Sequence, residues 1–108
     1  MNEVTIALTT LYNKIPRRHT TENVTEINSI VNDCEDYLLT IEAINPFYEK
    51  GVAIFFDELE TVRNGIKKSN DNKASKKMKD NLFDEASGSL KDSLKALITF
   101  YANGDRIE

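Results

Sequence analysis

One histidine and one cysteine set the limits of what this 108-residue chain can do chemically. His19 follows Pro16, Arg17 and Arg18, and Cys34 sits between Asp33 and Glu35. Helical di-metal centres take Glu-x-x-His pairs from facing helices, and structural zinc sites take four Cys or His ligands. A single histidine and a lone cysteine supply neither, so no metal and no cofactor is expected. Acid–base catalysis needs carboxylates that converge on one point from unlike environments. Asp57, Glu58 and Glu60 fall on successive faces of one helix, and Asp33, Glu35 and Asp36 do the same on another. Both groups read as solvated helix faces. There is no Gly-rich phosphate loop and no Ser/His/Asp arrangement. No catalytic residue is assigned, and the expectation is a protein without enzymatic activity. The remaining candidate chemistry is charge, and its placement depends on the elements that carry it.

Those elements are helices. Val4, Ala7, Leu8, Leu11, Tyr12 and Ile15 recur at helical spacing and predict a first helix over about 2–14. Pro16 stops it, because the residue before a proline is pushed out of helical geometry. Thr20 or Thr21 can cap a second helix, with Glu22 and Glu26 favourable near its positive end. Val24, Ile27, Val31, Cys34, Leu38 and Ile41 form its seam, flanked by Ile30, Tyr37 and Ile44. Asn45 as cap and Pro46 as first residue start a third helix almost without a loop. Its seam is Val52, Phe55, Leu59, Val62 and Ile66, and it ends either at Gly65 or at Lys68. A polar linker over 69–75 leads to a fourth helix over about 76–102, with Met78, Leu82, Ala86, Leu90, Leu94, Leu97 and Tyr101 inward. Asn103-Gly104 reads as its stop. Gly88 in Ala86-Ser87-Gly88-Ser89 costs a helix about 1 kcal/mol against alanine, and close approach of another helix is the expected reason for it.

The fold class is therefore all-α: a single domain over 1–108, an antiparallel bundle of three long helices with a shorter N-terminal helix packed across it. Short connections make successive helices reverse. The first and third connections then share one end, which gathers Arg17, Arg18, His19, Lys67, Lys68, Lys73, Lys76, Lys77 and Lys79. The functional reading is a site for an anion or an acidic partner, helped by the free amides of a helix N-terminus. The plain alternative is a set of solvated loop charges that keep the protein in solution.

Composition excludes several classes. The net charge is −4, which argues against generic nucleic-acid binding while leaving room for a local basic patch. No apolar run reaches the length of a membrane span. No secretory signal pattern opens the chain, and one cysteine cannot form an internal disulfide, so a cytoplasmic protein is expected. Cys34, on the seam, reads as a buried structural thiol.

Two further features bear on partners. Phe47, Phe56 and Phe83 lie beside the main seams. They either widen the core or, if exposed together, mark a docking or self-association face, which would allow a homo-oligomer. Tyr101-Ala102-Asn103-Gly104-Asp105 resembles the Tyr-x-x-x-acidic tail that follows the helical hairpins of type VII secretion substrates. The likeness covers only these residues. The Trp-x-Gly turn of that family is missing, since the chain has no tryptophan and its hairpin turn is Asn45-Pro46. The leading expectation is a small binding protein that occupies a macromolecular partner, most simply a protein, in the manner of inhibitors, immunity proteins or phage counter-defence proteins. The alternatives are a secretion-associated helical partner, implied by the tail, and a sequestering or sensor protein for a small anion such as a nucleotide, implied by the basic end.

Overall fold

The computed structural model describes residues 3–42 and 46–107, with Phe47 and residues 102–107 described by their backbone alone. It contains α1 (Glu3–Lys14), α2 (Thr21–Glu42), α3 (Pro46–Ser69) and α4 (Lys76–Ile107). Among the described residues there is no strand. The all-α bundle read from the sequence is the observed fold. α3 packs on α4 and on α2, α1 packs on α4 and α2, and α2 barely meets α4. α1 does not touch α3 among the described residues, so it fills the fourth corner of the bundle rather than crossing it. The result is an elongated body of 50 × 23 × 17 Å.

Local chemistry sets the helix starts. The Thr20 hydroxyl accepts the Asn23 N–H at 3.0 Å, which satisfies one of the free amides of α2. Ser75 does the same for the Met78 N–H of α4 at 3.2 Å. The expected cap at Asn45, with Ile44 beside it, lies outside the described residues. The polar linker before α4 folds into turns: the Ala74 N–H donates to the Asp71 carbonyl at 3.1 Å, and the Lys73 N–H to the Asp71 carboxylate at 3.0 Å.

The seams meet in one core. Leu8 and Leu11 bring α1 to it, and Ile15 joins just past the end of that helix. Ile27, Ile30, Val31, Cys34, Leu38 and Ile41 bring α2, and Val52, Phe55, Leu59, Val62 and Ile66 bring α3. α4 contributes Phe83, Ala86, Leu90, Leu94, Leu97 and Tyr101. Burying a side chain of the Val, Leu or Phe kind stabilises by about 1.5–3 kcal/mol, which holds helices that would be marginal alone.

Four details correct or settle the sequence reading. α3 runs through Gly65 to Ser69, so glycine ends nothing there. α4 continues past Asn103-Gly104 to Ile107. Glycine can stay helical at a cost of about 1 kcal/mol, and no described glycine takes the positive φ of a helix stop. Met78 is exposed and Leu82 only half-buried; Phe83, one position on, fills the core instead. Gly88 is also exposed, and a Cβ added there would meet nothing within 4 Å. The close approach lies on α3. A Cβ on Gly51 would fall 2.1 Å from Cζ of Phe100, and one on Gly65 would fall 3.3 Å from the Ala86 Cβ.

Candidate functional site

The connection between α1 and α2 is non-helical, bends at Arg18 and is tied down at several points. Pro16 ends α1, and the neighbouring Ile15 is buried. His19 packs edge-on against Phe83, with ring centroids 5.7 Å apart. The Asn23 side-chain amide donates to the Arg18 carbonyl at 2.8 Å. These ties hold Arg17 and Arg18 against the first turns of α4. An open hollow of about 510 Å³ forms there, walled by Arg17, Arg18, His19 and Thr20 on one side and Lys76, Asp80, Asn81 and Asp84 on the other. Two connections far apart in sequence thus reach one end of the bundle, and the reversals of the helices are the reason.

The hollow is of mixed charge. Arg17 Nη2 lies 3.8 Å from Asp84 Oδ1, and both side chains are largely exposed. Such a pair contributes little to stability and is easily exchanged for another partner. His19 Nε2 is buried without a hydrogen-bond partner. Asp80 and Asp84 were not singled out in the sequence reading. The signal that finds them is their spacing: Lys76, Asp80 and Asp84 repeat every four residues and share one face of α4.

The other predicted residues do not join this hollow. Lys67 lies on a groove between α2 and α3 with Asn28, Glu60 and Arg63. Lys68 lies on a separate hollow between α3 and α4 with Gly65, Leu82, Glu85 and Ala86. Lys73 sits in the turn before α4, and Lys77 is exposed in the first turn of that helix. Phe83 is fully buried against His19 and cannot serve as a docking aromatic, because its ring is core. Phe56 is half-buried against the core, and the Phe47 side chain lies outside the described residues.

The remaining reactive groups have structural surroundings. Burial pushes the Cys34 thiol up to about 12, and the neighbouring Asp33 and Glu35 add to the shift. A thiol so held stays protonated and unreactive. Arg63 Nη2 donates to Glu35 Oε1 at 2.6 Å and also to Asn32, which clasps α3 to α2. The hydrogen bond from Arg63 holds the Glu35 carboxyl below its ordinary value. Ser93 donates to Glu58 at 2.9 Å between α4 and α3. Among the described residues, no group of three His, Cys, Asp or Glu side chains is placed to hold a metal ion, and no helix is long and apolar enough to cross a membrane.

Compared with known proteins, the chain matches no family model, no curated protein and no solved structure.

Proposed function

We propose that this chain is a small non-enzymatic binding protein that works by occupying a macromolecular partner, and that it makes contact through the basic end of the bundle. Inhibitors, immunity proteins and phage counter-defence proteins act in this way. The observation that carries the reading is the meeting of Arg17, Arg18 and Lys76 around one open hollow. Arg17 has only an exposed, long ion pair, and neither Arg18 nor Lys76 is ion-paired among the described residues. Further cations at Lys67, Lys68, Lys73 and Lys77 spread over the same end without converging on a point. Spread charge of this kind suits a broad macromolecular surface better than a small anion, which needs donors aimed at one place. A cytoplasmic setting belongs to the same proposal and rests on the single buried cysteine.

The test is capture. The tagged protein and its Arg17→Glu/Arg18→Glu variant are cross-linked in extracts of the native host, and the captured proteins are identified by mass spectrometry. The wild type should retain a partner that the variant loses, and raising the salt should weaken the wild-type capture, because exposed charges are screened within about 8–10 Å. Equal capture by both proteins at low salt would refute the role of this end.

A further inference from the structure

We infer that the basic end selects an acidic protein surface and rejects nucleic acid, and that Asp80 and Asp84 set this choice. The inference rests on the proposed binding role and adds the class of partner. Lys76, Asp80 and Asp84 share one face of α4 and stand across the hollow from Arg17 and Arg18. Cations and carboxylates therefore line the same opening, and Arg17 already lies 3.8 Å from Asp84. Nucleic acid binds basic surfaces by neutralising a run of phosphates, and affinity grows with the number neutralised. In this hollow a strand that reaches Arg18 and Lys76 also comes beside Asp80 and Asp84, which line the same opening. Each would hold a like charge against a phosphate, which is how interfaces discriminate against a wrong partner.

The neighbouring helix extends the barrier. α2 begins next to Thr20 on the wall of the hollow and carries Glu22, Glu26, Asp33, Glu35, Asp36 and Glu42 with no Lys or Arg. Of these, only Glu35 is ion-paired among the described residues. A phosphate strand leaving the hollow along the first turns of α2 meets Glu22 and Glu26, both exposed and neither ion-paired among the described residues. A protein surface is different, because its carboxylates are separated by neutral and basic groups. One carboxylate can face Arg18 or Lys76 while a lysine or amide faces Asp80. Arg17 is released from Asp84 at little cost, since both groups are exposed and 3.8 Å apart.

The experiment compares two labelled probes on the full chain at low salt by fluorescence anisotropy. One is a single-stranded oligothymidylate, and the other is a glutamate-rich peptide with interspersed lysines. The wild type should favour the peptide. The Asp80→Asn/Asp84→Asn variant should shift the ratio of affinities towards the oligonucleotide by about tenfold, the size expected of two exposed like-charge contacts. Its oligonucleotide binding should also fall more steeply with salt, because more phosphates are neutralised. Both aspartates are exposed, so the variant should fold, which circular dichroism checks. A wild type that prefers the oligonucleotide, an unchanged ratio in the variant, or no binding of either probe by either protein overturns the inference. Failure of the binding role shows separately, as unaltered capture by the Arg17→Glu/Arg18→Glu variant.

Discussion

Gly51 and Gly88 both stand inside helices with ordinary helical backbone, yet replacing them by alanine should have opposite effects. Alanine gains about 1 kcal/mol over glycine in a helix interior. At Gly88 nothing offsets that gain, because no atom lies within 4 Å of the added Cβ. At Gly51 the new Cβ would fall 2.1 Å from Cζ and 2.6 Å from Cε1 of Phe100. Moving the ring away would give up its packing. It packs edge-on against Tyr48 at 5.5 Å and tilted against Phe55 at 5.7 Å. Overpacking of this kind costs about 1–3 kcal/mol. Gly51→Ala should therefore be neutral to destabilising by about 2 kcal/mol, and Gly88→Ala should stabilise by about 1 kcal/mol. Denaturant melts of both variants measure this, and for a domain of this size about 1 kcal/mol moves the midpoint temperature by roughly 4 °C or more. A double-mutant cycle isolates the cause. In a Phe100→Ala background the clash is gone, and Gly51→Ala should become stabilising. Equal stabilisation by Gly51→Ala and Gly88→Ala in the wild-type background would refute the close approach of α3 to α4 at Gly51.

Leu38 and Leu59 are buried on α2 and α3, and alanine at either should cost about 2–5 kcal/mol; a loss under about 0.5 kcal/mol at both would place the seams wrongly. The Arg63 hydrogen bond lowers the folded-state pKa of Glu35, so its stabilisation is present above the unfolded glutamate value of about 4.3 and is lost as pH falls through the lower folded value. Wild type should therefore be more stable than Glu35→Gln at neutral pH, with the difference closing below about pH 4; a difference that persists at lower pH would mean that packing, not ionisation, holds the clasp.

Most of the helical architecture was legible because period and punctuation agree. Pro16 marks the end of α1, and all five predicted seam residues of α3 are buried. The glycines were not legible in the same way. Glycine enters a sequence both where a helix stops and where two helices touch, and only the partner helix decides between them. At Gly51 that partner is Phe100, and at Gly65 it is Ala86; neither can be located from residues on α3 alone. Met78, expected inward, is exposed for a related reason. A helix that starts beyond the packed part of the bundle has its first apolar residue in solvent, so periodicity reads one turn too far. At the basic end, the topology was legible and the carboxylates were not. A search for cations finds Arg17, Arg18 and Lys76. Asp80 and Asp84 matter only because α4 turns that face towards the first connection.

The geometry of that end follows from a mismatch in helix length. α1 has 12 residues and α2 has 22, about 18 Å against about 33 Å. A tight turn after Lys14 would start α2 partway along the bundle. Instead Tyr12 stands by Lys91, while His19 packs on Phe83, eight residues and about 12 Å further along α4. The residues from 15 to 20, which reach about 20 Å when extended, cover this distance with length to spare. A non-helical stretch leaves its backbone groups without helical partners, and here two of them find partners locally. The Ile15 N–H donates to the Tyr12 carbonyl at 3.3 Å, and the Arg18 carbonyl accepts the Asn23 amide at 2.8 Å. Arg17 and Arg18 are thus carried between two anchored side chains, Ile15 in the core and His19 on Phe83. For the proposed contact the backbone of both arginines is already placed, so binding need order only their side chains, at about 0.5–1.5 kcal/mol for each one immobilised. Replacing His19 by glycine removes one anchor and leaves Arg17 and Arg18 themselves untouched. It should weaken partner capture even though both arginines remain, and capture undiminished by that change would show that the charges act without the connection that holds them.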